Sequence, residues 1–314
     1  MLKAAIKHFS RPYSTKSDLR FEALDKWISS PRQLVLSDTF HQEHLSDLYI
    51  TLPTRDGTRK PYLEPKEGAP LGFGHHLAFF HSRTPESQLR EDGTDADFCP
   101  PEPFTRRMWA GGKMTWDLEN PLIVGGKANA NWSIGAVEKK GFDDPKKDPM
   151  VFVNQIIDIT LVGKKKPSVS EERSHVYLST AADSKKSIRD VRDLPSSSDF
   201  SFRYKPSLTT LFRFSALTFN GHYIHLDQEF AQKKEGYPER LVHGPLTAMM
   251  LLETTVFHHP SIQITSFEYR ARNPVVVNRP TTIHGAWTDK NTVALWCVDD
   301  DGIVGMTGAV QVMI

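Results

Sequence analysis

The spacing of apolar residues changes along this 314-residue chain, and the changes mark out its elements. Between residues 20 and 50, "RFEALDKWI" and "SDTFHQEHLSDLYITL" carry apolar positions at i, i+3 and i+4, the spacing of amphipathic helix. A stretch rich in Pro, Gly and charge covers 53–70, and "GFGHHLAFF" (72–80) then reads as a short apolar helix. From Met108 to Ser179 the period shortens toward two. "GKMTWDL", "KANANWSIGAVEKKG", "MVFVNQIIDITLVGKK" and "RSHVYLS" are predicted strands bounded by Gly, Pro and Asp.

After a linker-like passage, "TAADSKKSIRDVRDLPSSSDF", the outline repeats. A helical segment around "LFRFSAL" leads to a very apolar helix opening near His243. Four strands follow: "IQITSFEYRARN", "TTIHGAWT", "NTVALWCVD" and "IVGMTGAVQVMI". A helix followed by about four strands, twice, predicts a tandem duplication of one α+β unit. Strands without intervening helices predict antiparallel sheet, curled around a central apolar helix in each half. The expected units are 21–180 and 201–314, joined by a linker at 181–200.

Composition narrows the function classes. Hydrophobic residues make up 39% of the chain and aromatic ones 10%, enough to build two cores. A formal charge of +1 gives no basis for nucleic-acid binding. The longest apolar stretch, around Leu246 to Leu252, falls short of the roughly 18 residues a membrane span requires. Two lone cysteines, Cys99 and Cys297, supply neither a disulfide framework nor the paired thiolates of a structural zinc site, and suit a reducing compartment. The first twenty residues, "MLKAAIKHFSRPYSTKSDLR", are basic, rich in hydroxyl groups and free of acids before Asp18. With Leu2, Ile6 and Phe9 at helical spacing, residues 1–20 read as a mitochondrial matrix presequence, with cleavage expected before Ser14.

Two segments concentrate the polar chemistry. "FNGHYIHLD" (219–227) places Asn220, His222, His225 and Asp227 directly after an apolar helix, and His243-Gly244-Pro245 opens the next one. His222, His225 and His243 could each be hydrogen-bonded core histidines, metal ligands or proton carriers, but no HExxH-type helical pair accompanies them. No metal or cofactor is expected. A helix N-terminus offers free N–H groups and the positive end of a dipole. Pro245 cannot donate, so Gly244 and Leu246 are the available donors for a developing oxyanion.

Together, "ALTFNGHYIHLDQEFA" and "GYPERLVHGPLTAMMLL" resemble the MaoC-like hot-dog hydratase and dehydratase family, in the subgroup of mitochondrial 3-hydroxyacyl-thioester dehydratases type 2. "GHHLAFF" and "RRMWAGGKMTWDLENPLIVGG" resemble the degenerate first repeat of its double hot-dog members. The family motif reads Asp-x-Asn-Pro-x-His, a variable residue, then Asp, with His-Gly downstream. The resemblance implies that His225 is the catalytic histidine and Asp227 the acid that follows it. Asn220 stands where the family has its catalytic aspartate, and His222-Tyr223 where it has Asn-Pro. An amide cannot exchange a proton at neutral pH, so His225 works alone or with help from Asp227, His222 or His243.

The implied fold is α+β, a double hot-dog. The implied reaction is dehydration of (3R)-3-hydroxyacyl thioesters on acyl carrier protein in mitochondrial fatty-acid synthesis. Competing readings are hydration of an enoyl-CoA or short dicarboxylyl-CoA ester, a hot-dog thioesterase, and a non-catalytic scaffold. Arg270 and Arg272, in "YRARNP", are expected at the mouth of the substrate tunnel, where an acidic carrier would meet them. A double hot-dog already contains the pairing that single hot-dogs gain by dimerising, so both a monomer and a homodimer fit.

Overall fold

A computed structural model of the chain describes residues 21–144, 146–179 and 188–313. The expected presequence and residues 181–187 of the expected linker lie outside them. Helix α1 (Phe21–Ser29) buries Leu24 and Trp27 against Phe104, Val151, Val153 and Tyr177. The segment expected to be helical from 20 to 50 is interrupted by a strand, β1 (Gln33–Thr39), before helix α2 (Gln42–Tyr49). Residues 33–39 alternate between exposed and half-buried positions, a period of two that the flanking helical repeats overshadow.

Long strands β2 (Phe104–Trp116), β3 (Lys127–Lys140), β4 (Met150–Leu161) and β5 (Val169–Ser179) complete the first half. The second half opens on β6 (Phe200–Tyr204), a strand absent from the sequence reading, whose Phe200, Phe202 and Tyr204 point inward. Helices α3 (Leu208–Leu217), α4 (Tyr223–Leu226) and α5 (Gly244–His258) follow, and then β7 (Gln263–Ala271), β8 (Thr281–Asp289), β9 (Thr292–Asp299) and β10 (Val304–Met313).

All ten strands form one antiparallel sheet in the order β1-β3-β4-β5-β2-β7-β10-β9-β8-β6. Read outward from the central β2–β7 pair, each half repeats the same connectivity. The internal match extends to detail. Bridge Pro70–Ile123 in the first half is mirrored by Leu241–Val276 in the second. Asn120-Pro121 leads to Gly125 at φ 79°, and Asn273-Pro274 leads to Asn278 at φ 62°. This is a double hot-dog. The sheet joins its halves through five β2–β7 residue pairs, Gly111–Arg270 to Thr115–Ser266.

The halves differ in their helices. α5 is buried on all sides from Leu246 to Thr255, as a helix inside a curled sheet must be. Its first-half counterpart is a single 3₁₀ turn, His75–Ala78, and not the central helix expected there. Gly74 begins that turn in a left-handed conformation, and a side chain there would meet Leu252 of α5 at 2.8 Å. The one long helix therefore occupies the space against both halves.

A buried ion cluster fixes α5 in this position. Glu253, 2% exposed, accepts from Thr54 Oγ1 (2.9 Å), Arg55 Nε (2.7 Å), Arg55 Nη2 (2.9 Å) and His75 Nε2 (2.8 Å). Burial alone would push its carboxyl up, but Arg55 and His75 hold it well below the usual carboxylate range. Burial also keeps His75 neutral, so Arg55 supplies the balancing charge and His75 a hydrogen bond. Glu253→Gln should lower stability by about 3 kcal/mol at pH 7, because it strands Arg55. Glu253 has a depressed folded pKa, so its contribution is complete above the unfolded value and fades as pH falls below about 4.5. Urea unfolding should show the gap between wild type and variant narrowing on acidification. A difference below about 0.5 kcal/mol at pH 7 would contradict this account.

Candidate active site

The site begins at the end of α3. Ser207 and Thr210 form a capping box at its start. At its end, Phe219 N–H donates to Ala216 O and Asn220 N–H to Ser215 O, with Phe219 at φ 48°. This is a Schellman-type stop, which turns the chain sharply and delivers Asn220 to a fixed place. The Asn220 side chain then closes a turn of its own, its Oδ1 accepting the His222 N–H at 3.0 Å. That bond orients the amide, leaving its N–H₂ as the free end.

His225 lies in the short helix α4. Its Nδ1 is 2.8 Å from Leu241 O, so Nδ1 carries the proton and donates, and Nε2 keeps its lone pair. Burial, against the raising effect of the Leu241 bond, lowers its pKa to about 4, with a further push from Arg107. The ring is neutral at pH 7. His222 stands 5.5 Å away, centroid to centroid and nearly perpendicular, and is lowered to about 3 by burial and by His225. The His243 ring stacks on His225 at 3.7 Å, and its Nε2 is 2.9 Å from Ser215 Oγ. His243 is fully buried and backs His225 from behind. His225 Nδ1 and His243 Nε2 are thus turned toward separate partners.

A loop of the first half holds this turn from the other side. Asp92 O accepts the Tyr223 N–H at 2.9 Å, and Asp92 Oδ2 lies 3.9 Å from His222 Nε2. Burial would raise the Asp92 carboxyl, but hydrogen bonds from Thr94, with His222 and Arg90 nearby, lower it. Contact here is close. A side chain on Gly93, at φ 80°, would strike Gly221 O at 2.3 Å.

Asn220, His222, His225, Gly244, Arg270 and Arg272 line one cleft of about 1400 Å³ that runs across both halves. In α5 the first helical bond is Thr247 N–H to His243 O, so the N–H groups of Gly244 and Leu246 have no partner within the helix. Glycine at 244 also serves packing, because a Cβ there would lie 2.8 Å from Trp109 Cγ. Asp227 is not part of the cleft lining. It is exposed, and its Oδ1 accepts the Phe230 N–H at 2.9 Å, capping the next helical turn. The cleft also contains first-half residues not singled out from sequence, notably Arg107, Trp109 and His175. They lie on strands read only as degenerate core, and "RRMWAGG" gave no polar spacing that would distinguish them.

Comparison with known proteins identifies the family. The hydroxyacyl-thioester dehydratase type 2 family matches residues 74–277. A mesaconyl-C(4)-CoA hydratase of Chloroflexus aurantiacus is 35% identical over 68% of this chain and 75% of its own length. A mitochondrial hydroxyacyl-thioester dehydratase type 2 of Schizosaccharomyces pombe is 27% identical over 84% of this chain and 95% of its own. Among solved structures, a MaoC-like dehydratase from Phytophthora capsici superposes with TM-score 0.66 at 16% identity, covering 92% of this chain and 98% of that one. A Mycobacterium tuberculosis protein with a double hot-dog fold gives 0.56 at 12%, covering 93% and 98%. The chain is a hydro-lyase of the hydroxyacyl-thioester dehydratase type 2 family, built on the MaoC-like double hot-dog.

Proposed function

We propose that this chain interconverts (3R)-3-hydroxyacyl and trans-2-enoyl thioesters with His225 as the single proton carrier. The observation that carries this reading is the Nδ1–Leu241 hydrogen bond, which leaves the Nε2 lone pair as the free end of a cleft-lining ring. In dehydration, Nε2 takes the α-proton and the thioester carbonyl becomes enolate-like, stabilised by the Gly244 N–H. The imidazolium then gives the same proton to the departing 3-hydroxyl, the C–O bond breaks and water leaves. Protons balance without a second base. A histidine lowered to about 4 is a weak base but a strong acid, well suited to the second half of this exchange. Asn220, with its Oδ1 occupied, offers N–H₂ to the hydroxyl oxygen.

Two readings of acyl group and carrier remain. Fatty-acyl chains on acyl carrier protein in the mitochondrial matrix are supported by the basic, acid-poor first twenty residues and by the mitochondrial relative from S. pombe. A short acid on CoA is supported by the mesaconyl-CoA hydratase and by the charge in the first-half wall of the cleft.

His225→Ala should abolish hydration of crotonyl thioesters, followed by loss of enoyl absorbance, with the melting temperature unchanged. The wild-type kcat/KM should stay level from pH 8 to 5 and fall only near pH 4, where Nε2 protonates. An acid limb at about 6.5 would place another group in the role. Activity within tenfold of wild type in the alanine variant would remove the assignment.

Asn220→Asp keeps the acceptor that closes the turn, so the variant should fold. It substitutes a carboxylate for the amide donor, and activity is expected to persist with a shifted pH profile. Complete loss in a folded variant would show that the site requires the neutral amide.

Arg270→Glu with Arg272→Glu tests the carrier. If an acidic carrier protein docks at this edge, KM for its substrates should rise and lose salt dependence, while a pantetheine substrate is unaffected. No change with either substrate would leave both arginines as surface charges.

A further inference from the structure

Two arginines of the first-half wall, Arg106 and Arg173, are held by short carboxylate pairs, and Arg107 is not. Arg173 makes two bonds to Glu171 (2.7 and 2.9 Å) and is sandwiched between Trp109 and Trp132. Arg106 reaches Glu235 at 2.8 Å. Arg107, the next residue of β2, turns into the cleft with a side chain only 19% exposed. Among the described residues the one carboxylate within reach is Asp95, at 4.0 Å, and the Asp95 oxygen facing it already accepts the Asp97 N–H at 3.0 Å. A desolvated guanidinium with five donors and no carboxylate closer than 4.0 Å is costly unless an anion joins it.

Unpaired polar atoms surround the same position. His175 Nδ1 and Trp109 Nε1 are buried without a hydrogen-bond partner, and both residues line the cleft. Tyr177 Oη is buried beside the Arg107 guanidinium, and burial pushes its pKa up to about 12, keeping it protonated. Burial, with the charges of Arg107 and Arg173, holds His175 well below its usual range and therefore neutral. A plain methylene chain in this compartment would leave Arg107, His175 Nδ1 and Trp109 Nε1 without an anionic or accepting partner. A carboxylate would satisfy them.

We propose that the first-half wall of the cleft is a carboxylate-recognition site, in which Arg107, assisted by His175 and Trp109, receives an anionic group on the acyl portion of the substrate. This rests on the reading of the cleft as an acyl-thioester site and names its substrate class: a short enoyl or 3-hydroxyacyl thioester bearing a second carboxylate. Arg107 lines the same cleft as His225 and shares a small pocket with His222, whose ring lies 5.5 Å from that of His225, so the acyl group bridging them is short.

The test is calorimetric binding of two saturated, unreactive esters, succinyl-CoA and butyryl-CoA, which share every phosphate and differ in the terminal carboxylate. Wild type should bind succinyl-CoA about tenfold or more tighter, the range of a charged hydrogen bond. Arg107→Met should erase that preference while leaving butyryl-CoA binding in place, and Arg107→Lys should restore part of it. Equal affinities in the wild type overturn the site. So does an equal loss for both esters in Arg107→Met, which would assign Arg107 to the CoA phosphates or to the fold. A protein that hydrates crotonyl-CoA without preferring succinyl-CoA loses this site and keeps the hydro-lyase reading. One that prefers succinyl-CoA but hydrates nothing keeps the site and loses the reaction.

Discussion

The β2–β7 ladder is the constraint on which the cleft depends. Without it the chain would be two small curled sheets, each with an open edge of unpaired backbone. With it, Gly111 lies opposite Arg270, and β2 residues Arg107 and Trp109 share a cleft with His225 and Gly244. The first half then supplies what the second lacks. Its loop at Asp92 is bonded to the turn that carries His225, its Trp109 packs on Gly244, and its residues Arg55 and His75 hold α5 through Glu253. A repeat that has lost its central helix retains a structural function, since the missing helix leaves room for α5 and for the cleft.

Burial does most of the electrostatic work in the site. His175, His222, His225 and His243 are all depressed chiefly by desolvation, so the cleft holds several imidazoles and none of them is charged near neutrality. That suits a reaction that moves one proton between two substrate atoms. A standing positive charge on His225 would bar it from acting as a base. It also concentrates fixed positive charge in a few arginines; in the first-half wall Arg106 and Arg173 have close carboxylates, while that of Arg107 is 4.0 Å away.

Much of the fold was legible because the long strands keep their period and bounding turns, as at Lys127–Lys140 and Thr292–Asp299. Edge strands β1 and β6 were not, being short and set beside helical or Ser-rich stretches that dominate any window. The motif at 220–227 exposed His225, Asn220 and His222 because local chain geometry brings them together within a single turn. Asp227 looked equivalent in sequence, but the extended conformation at that residue turns it to solvent as a cap. Arg107 and His175 arrive from more than 40 positions away through sheet pairing and Asp92 through a loop, and no local pattern announces such a meeting.

Single-histidine proton transfer is the central claim, and the face on which water adds tests it most directly. Hydration of crotonyl-CoA in D₂O, with the product resolved by NMR coupling constants, reports the relative configuration of the new C–O and C–D bonds. One imidazole serving both carbons lies on one side of the enoyl plane, so the account predicts addition of both groups to the same face. Addition to opposite faces would require a second proton carrier across the cleft and would contradict it.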